Sequence, residues 1–101
     1  MLNVYEEAVN FYAIQSAHLV ARGKPHPDIF EYAARNMGVQ AARCLVLEDS
    51  VAGVTAAKAA GMKCIGFTGG SHCQAGHAAR LKDAGAFRVI KRLEQLLDIV
   101  P

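Results

Sequence analysis

Apolar residues downstream of position 26 follow two different patterns, one of helical spacing and one of short continuous runs. The first pattern predicts a helix that begins near Pro27 and Asp28 and ends at Gly38, since proline suits the first helical position and glycine suits the end. Its predicted buried face consists of Ile29, Phe30, Ala33 and Met37. Residues 44–47 are wholly apolar, which is typical of a strand covered on both faces.

Helix-like and strand-like segments then continue to alternate along the chain. They are predicted as a helix over 51–60, a strand over 64–67, a weaker helix over 78–82, a strand over 87–90 and a helix over 93–99. Short strands that alternate with helices favour a parallel sheet of the βαβ kind. The sequence therefore predicts an α/β fold.

The first part of the chain gives a weaker pattern. Val4, Ala8, Phe11 and Tyr12 could share one helical face, and residues 18–20 could be extended. We leave residues 1–15 unassigned and predict that residues 16–101 belong to one compact unit. No repeat, low-complexity tract or flexible linker marks a second domain, and 101 residues leave no room for a second core.

Composition and charge argue against nucleic-acid-binding and membrane-spanning classes of protein. The formal net charge is +2, and the basic residues are dispersed among acids, which argues against a nucleic-acid-binding stripe. No apolar stretch reaches the length of a membrane span, and Glu6 and Glu7 stand where a signal peptide would carry positive charge. The three cysteines Cys44, Cys64 and Cys73 form an odd number, which fits reduced thiols. We therefore expect a cytoplasmic protein without nucleic-acid or membrane partners.

Two adjacent carboxylates follow the predicted strand over 44–47. Ligands of open parallel sheets bind at the carboxyl ends of the strands, where Glu48 and Asp49 lie. Adjacent carboxylates repel each other, and a divalent cation such as Mg²⁺ relieves that repulsion. The simpler alternative is that Asp49 or Ser50 only caps the next helix.

Lys24 lies between Gly23 and Pro25, with Pro27 shortly after, so a stiff backbone holds its position. A lone lysine would otherwise be interpreted as a solvated surface charge. His72, Cys73 and His77 have workable spacing for a metal site. A loop that shapes the phosphate side of the site, or only a glycine turn with exposed imidazoles, is the more economical interpretation. His18 and His26 have no identified partner and are interpreted as surface residues.

Three motifs taken together resemble the haloacid dehalogenase superfamily, in particular its β-phosphoglucomutase-like branch. They are Gly23-Lys24-Pro25-x-Pro27-Asp28-Ile29-Phe30, then Leu47-Glu48-Asp49-Ser50-x-x-Gly53, then Ala59-Ala60-Gly61-Met62. Their order and spacing also match the family, and the resemblance runs from about Ser16 to the C-terminus.

The resemblance implies a doubly wound parallel sheet, Mg²⁺ and an aspartate that attacks a small phosphate ester to form an aspartyl-phosphate. By the same resemblance, Lys24 is the catalytic and phosphate-binding lysine, which neutralises the nucleophile and the transferring phosphoryl group. Asp49 is implied as a metal ligand, with Glu48 as a second ligand directly or through water. These groups supply the electrostatic part of phosphoryl transfer.

The chain departs from the family at the nucleophile, because it contains no Asp-x-Asp sequence. We therefore expect a partial Rossmann-like sheet that lacks the first family strand and the cap domain. We also expect the isolated chain to be inactive as a phosphatase or phosphomutase and to bind Mg²⁺ weakly or not at all. The alternative is an inactive binding or interaction module that retains the lysine and the acid pair. A phospho-receiver domain has the wrong order, since its lysine follows its acids.

The missing strand also predicts an assembly property. In the family fold the first strand lies beside the strand that here spans residues 44–47, so that edge would present unpaired backbone groups. We expect self-association or contact with another segment along this edge, with residues 1–13 as one candidate to fill part of the gap.

Overall fold

The structure is a computed structural model of the 101-residue chain and describes residues 2–4, 9–11, 20–69 and 75–99. In chain order the elements are β1 (Leu2–Val4), β2 (Val9–Phe11), α1 (Asp28–Met37), a 3₁₀ helix (Ala41–Arg43), β3 (Cys44–Glu48), α2 (Val51–Ala59), β4 (Lys63–Phe67), α3 (His77–Ala84), β5 (Arg88–Ile90) and a second 3₁₀ helix (Leu93–Asp98). The predicted α/β class is confirmed.

The described strands form one five-stranded sheet in the order β2-β1-β3-β4-β5. β3 pairs with β4 and β4 pairs with β5 in parallel, so their carboxyl ends lie at the same edge of the sheet. β1 instead pairs antiparallel with β3, with Leu2 opposite Leu45 and Asn3 opposite Cys44. The sheet therefore changes from antiparallel to parallel at β3.

The core lies mainly on one face of the sheet. There the helices α1, α2 and α3 pack against the strands, and the cluster includes Phe30, Val46, Val54, Cys64 and Leu81. α2 contributes small buried residues, which lets its backbone approach the sheet closely. The opposite face is smaller, with Leu45, Ile65 and Ile90 packed under Leu96 and Ile99 of the C-terminal segment.

Most element boundaries lie within two residues of the predicted ones, and three predictions need correction. Pro27 occupies the N-cap position of α1 and is not its first helical residue. The helix predicted over 93–99 is a 3₁₀ helix over Leu93–Asp98. Its start is fixed locally, because the Gln95 side-chain oxygen accepts hydrogen bonds from the backbone N–H groups of Lys91 and Arg92 at 2.9 and 2.8 Å.

The helical interpretation of the N-terminal segment is wrong. Val4 lies in β1 and Phe11 in β2, which pair as an antiparallel hairpin, while Ala8 and Tyr12 lie outside the described residues. Pairing with the edge of β3 satisfies backbone groups that would otherwise face an open edge. We expected either self-association or contact with another segment at this edge. The N-terminal strand β1 contacts it at Cys44 and Leu45.

Candidate functional site

The acid pair lies at the carboxyl end of β3. Glu48 is the last residue of this strand and lies opposite Gly66 of β4, and Asp49 and Ser50 form the turn that leads into α2. The Ser50 hydroxyl oxygen accepts a hydrogen bond from the Gly53 N–H at 2.9 Å, which caps the helix. The capping role considered for Asp49 or Ser50 therefore falls to Ser50.

The Lys24 side chain reaches this acid pair across 24 positions of sequence. Its Nζ lies 2.8 Å from Oε2 of Glu48, and it also lies 5.6 Å from the centroid of the Phe30 ring. The Glu48 side chain is only 11% exposed and the Lys24 side chain 38% exposed, so solvent screens the pair less than it would screen a pair on the open surface. The lysine and one acid of the predicted site are thus in direct contact.

The loop that carries Lys24 is closed by two contacts. The His26 N–H donates to the Gly23 carbonyl at 3.0 Å, and the Arg22 guanidinium donates to Asp28 at the start of α1 at 2.8 Å. The hydrogen bond from Arg22 lowers the pKa of the Asp28 carboxyl, which favours its charged form. Closure of the loop limits the directions in which Lys24 can point.

Gly53 leaves the space that the Glu48 side chain occupies. A Cβ atom at position 53 would lie 2.0 Å from Cγ and Cδ of Glu48 and 2.4 Å from Oε1. The Ser50 hydroxyl lies 3.4 Å from the same Oε1 and donates to it. The glycine of the second motif therefore allows Glu48 to lie over the first turn of α2 while its other oxygen faces Lys24.

His77, the first residue of α3, contacts the backbone of the acid pair. Its Nε2 lies 2.6 Å from the carbonyl oxygen of Asp49, and its Nδ1 lies 3.4 Å from the Arg80 guanidinium. Of the three residues considered for a second metal site, His77 is the one that the structure describes, since His72 and Cys73 lie outside the described residues.

Two buried thiols lie in the sheet that supports the site. Cys44 and Cys64 are free cysteines. Burial raises the pKa of the Cys64 thiol to about 12, and the negative charge of Glu48 adds to the effect. Burial also raises the pKa of Cys44. Both groups therefore remain neutral thiols at physiological pH, whereas Cys73 lies outside the described residues.

The donor chemistry of the acid pair fits part of a magnesium site. Glu48 and Asp49 offer adjacent carboxylate oxygens, which are the hard donors that Mg²⁺ prefers. One Glu48 oxygen already contacts Lys24 and the other accepts from Ser50. Among the residues that the structure describes, no three His, Cys, Asp or Glu side chains lie close enough together to hold a metal ion. The described residues thus offer two ligands and not a complete coordination sphere.

A model of the haloacid dehalogenase-like hydrolase family matches residues 4–61 of this chain. The match begins within the segment that we left unassigned. The β-phosphoglucomutase of Bacillus subtilis is 46% identical over 57 residues, which are 56% of this chain and 25% of that protein. The fructose-1-phosphate phosphatase YqaB of Escherichia coli is 46% identical over 55 residues, which are 54% of this chain and 29% of that protein.

A solved structure agrees with these relatives. The haloacid dehalogenase-like protein ATU0790 of Agrobacterium tumefaciens superposes with a TM-score of 0.76 and 52% identity, covering 78% of this chain and 36% of its own. This chain thus spans between a quarter and little more than a third of the length of these three proteins. In the described part of the chain, no helix is long and apolar enough to cross a membrane. The partial Rossmann-like fold is confirmed, and this chain belongs to the haloacid dehalogenase-like hydrolase family.

Proposed function

We propose that this chain forms the charge-stabilising part of a phosphoryl-transfer site that acts on a small sugar phosphate, as a phosphatase or a phosphomutase. One observation carries the proposal, which is the 2.8 Å contact of Lys24 with Glu48 at the carboxyl end of β3, directly before Asp49. The names of two relatives, a phosphoglucomutase and a fructose-1-phosphate phosphatase, support the substrate class.

Each residue of the site has a separate electrostatic role in this proposal. The Lys24 ammonium binds the transferring phosphoryl group and offsets the charge on its oxygens. Asp49 and Glu48 would hold Mg²⁺, which supplies further positive charge to the same oxygens when bound. The closed loop from Arg22 to Asp28 keeps Lys24 in reach of the phosphate. The buried neutral thiols of Cys44 and Cys64 are compatible with a cytoplasmic location, which we propose as well.

The covalent route needs an aspartate that these 101 residues do not supply in an Asp-x-Asp sequence. We therefore expect the isolated chain to have no phosphatase activity. The test is hydrolysis of p-nitrophenyl phosphate by the purified chain with MgCl₂, beside an Asp49→Asn variant. Turnover that depends on Mg²⁺ and disappears in the variant would contradict this expectation.

Binding can be tested without turnover. NMR titration of the chain with inorganic phosphate in the presence of MgCl₂ should shift signals of Lys24, Glu48 and Asp49. Lys24→Met should abolish these shifts, whereas Lys82→Met, which removes the same charge from an exposed position of α3, should retain them. Equal phosphate binding by the Lys24→Met variant and the wild-type chain would contradict the assigned role of Lys24.

The second candidate function is a binding or interaction module that retains the site without catalysis. The absence of an Asp-x-Asp sequence favours it only as a description of these 101 residues by themselves. Expression from the complete gene distinguishes the two candidates. Sugar-phosphate hydrolysis or transfer that Lys24→Met abolishes supports the enzyme, and tight binding without turnover supports the module.

A further inference from the structure

His77 contacts the backbone of the acid pair on one side and the side chain of Arg80, three residues later in its own helix, on the other. Its Nε2 lies 2.6 Å from the Asp49 carbonyl oxygen, and its Nδ1 lies 3.4 Å from an Arg80 guanidinium nitrogen. The ring is half-buried at the start of α3. This contact links α3 to the turn between β3 and α2, 28 positions earlier in the chain.

The chemistry of the two partners constrains the protonation of the ring. A backbone carbonyl oxygen can only accept a hydrogen bond, so Nε2 must carry the hydrogen. A guanidinium can only donate, so the longer 3.4 Å contact with Arg80 favours a lone pair on Nδ1. The 2.6 Å contact with the Asp49 carbonyl requires a ring that carries a hydrogen on Nε2.

The turn that His77 contacts has only two residues, Asp49 and Ser50. Ser50 is held by its cap on α2, because its hydroxyl accepts from the Gly53 N–H at 2.9 Å. The hydrogen bond from His77 holds the carbonyl end of Asp49 at 2.6 Å. Each residue of the turn is thus fixed by its own hydrogen bond, one from α2 and the other from α3.

We infer that His77 is a positioning residue that fixes the Asp49 peptide and thereby the direction of the Asp49 carboxylate. This inference rests on the proposed role of Asp49 as a metal ligand. Groups that orient metal ligands without touching the metal change metal affinity by roughly 10- to 100-fold when they are removed. Loss of the His77 hydrogen bond should therefore weaken Mg²⁺ binding while the fold persists.

The protonation of the ring provides the first test. Two-dimensional ¹H–¹⁵N NMR of the histidine ring in the full chain should show a hydrogen on Nε2 of His77. A ring whose single hydrogen is on Nδ1 would overturn the inference, since its Nε2 could not donate to the Asp49 carbonyl.

Matched variants provide the second test, with the Mg²⁺ affinity followed through the amide signals of Asp49 and Ser50. His77→Ala should bind Mg²⁺ about tenfold more weakly. His77→Gln should bind within about threefold of wild type, because its longer side chain can place an N–H donor near the Nε2 position. Lys82→Ala, which shortens an exposed side chain elsewhere on α3, should match wild type.

The outcomes separate this inference from the proposed function. Mg²⁺ binding that is unchanged in His77→Ala would overturn the inference and leave the metal role of Asp49 intact. If the wild-type chain binds no Mg²⁺, which matches the weak or absent binding expected of this incomplete site, the metal affinity cannot serve as the measure. The positioning contact is then decided by whether the Asp49 and Ser50 amide signals move in His77→Ala and return in His77→Gln. If His77→Ala does not fold, His77→Asn replaces it, because its shorter amide should fail to reach the carbonyl.

Discussion

Replacement of Gly53 by alanine should separate the geometry of the site from the stability of the fold. The new Cβ would lie 2.0 Å from two carbon atoms of the Glu48 side chain, whereas carbon atoms normally pack at about 3.5 Å or more. Glu48 must therefore move by about 1.5 Å. A shift of that size is enough to break its 2.8 Å contact with Lys24, which a closed loop keeps from following.

The expected change in stability is small because two effects oppose each other. Alanine in place of glycine favours a helix by about 0.5 to 1 kcal/mol. Loss of the charge-assisted hydrogen bond between Lys24 and Glu48 costs about 1 to 2 kcal/mol, because Glu48 is mostly buried. We expect Gly53→Ala to lower the free energy of unfolding by about 0.5 to 1 kcal/mol.

The assay is urea unfolding in a double-mutant cycle with Lys24→Met. In the wild-type background Lys24→Met should cost about 1 to 2 kcal/mol, and in the Gly53→Ala background it should cost almost nothing. The ¹³C signal of the Glu48 carboxyl should shift in Gly53→Ala. Ala59→Gly, at an exposed position of the same helix, serves as the control for helix propensity.

One result would refute the reasoning. If Gly53→Ala stabilises the chain by about 1 kcal/mol, the helix gains its propensity without a clash. An unchanged cost of Lys24→Met in that background would then show that Glu48 keeps its partner. In that case the glycine would not be required for the position of Glu48.

Three further predictions follow from other contacts. Gly69→Ala should lower the free energy of unfolding by about 1 to 3 kcal/mol, because the new Cβ would lie 2.4 Å from the Lys91 carbonyl oxygen. A midpoint of thermal unfolding equal to that of the wild-type chain would contradict this prediction. In a Cys73→Ser background, iodoacetamide at pH 8.5 should label native Cys64 about a thousandfold more slowly than the unfolded chain, since its pKa is about 12. Light scattering across a concentration series should show self-association along β3. Among the described strands, β1 pairs with the outer edge of β3 at Cys44 and Leu45 but not over 46–48, which leaves part of that edge without a strand partner. A strictly monomeric chain in which this edge is open to solvent would contradict the prediction.

The sequence correctly predicted elements whose burial can be read from neighbouring residues. The apolar run over 44–47 has to be buried on both faces, so it indicated a strand without knowledge of its neighbours. The N-terminal strands could not be predicted in this way. The spacing of Val4 and Phe11 is compatible with a helix, but β1 is defined by its pairing with Leu45, more than 40 positions away. A partner at that distance leaves no trace in the local pattern.

The candidate site also has contacts that the sequence predicted and contacts that it did not. Lys24 and Glu48 were associated through three motifs and a family resemblance, and the structure brings them into contact, while their chemical roles stay predictions. His77 was considered as a metal ligand, as part of a loop beside the phosphate or as an exposed imidazole, and its contact with Asp49 was missed because a backbone carbonyl partner leaves no sequence signal. Gly53 was part of a motif, but the reason for a glycine is the space taken by Glu48, which only the packing reveals.

The contact between Lys24 and Glu48 has a consequence for thermodynamic linkage. A cation that binds Oε2 of Glu48 competes with Lys24, and an anion that takes the Lys24 ammonium from Oε2 competes with Glu48. Either ligand therefore releases the group that the other ligand needs. By the reciprocity of linked equilibria, a divalent cation should raise the affinity for a phosphate ester by the same factor as the ester raises the affinity for the cation. The ion pair then couples the binding of the two ligands.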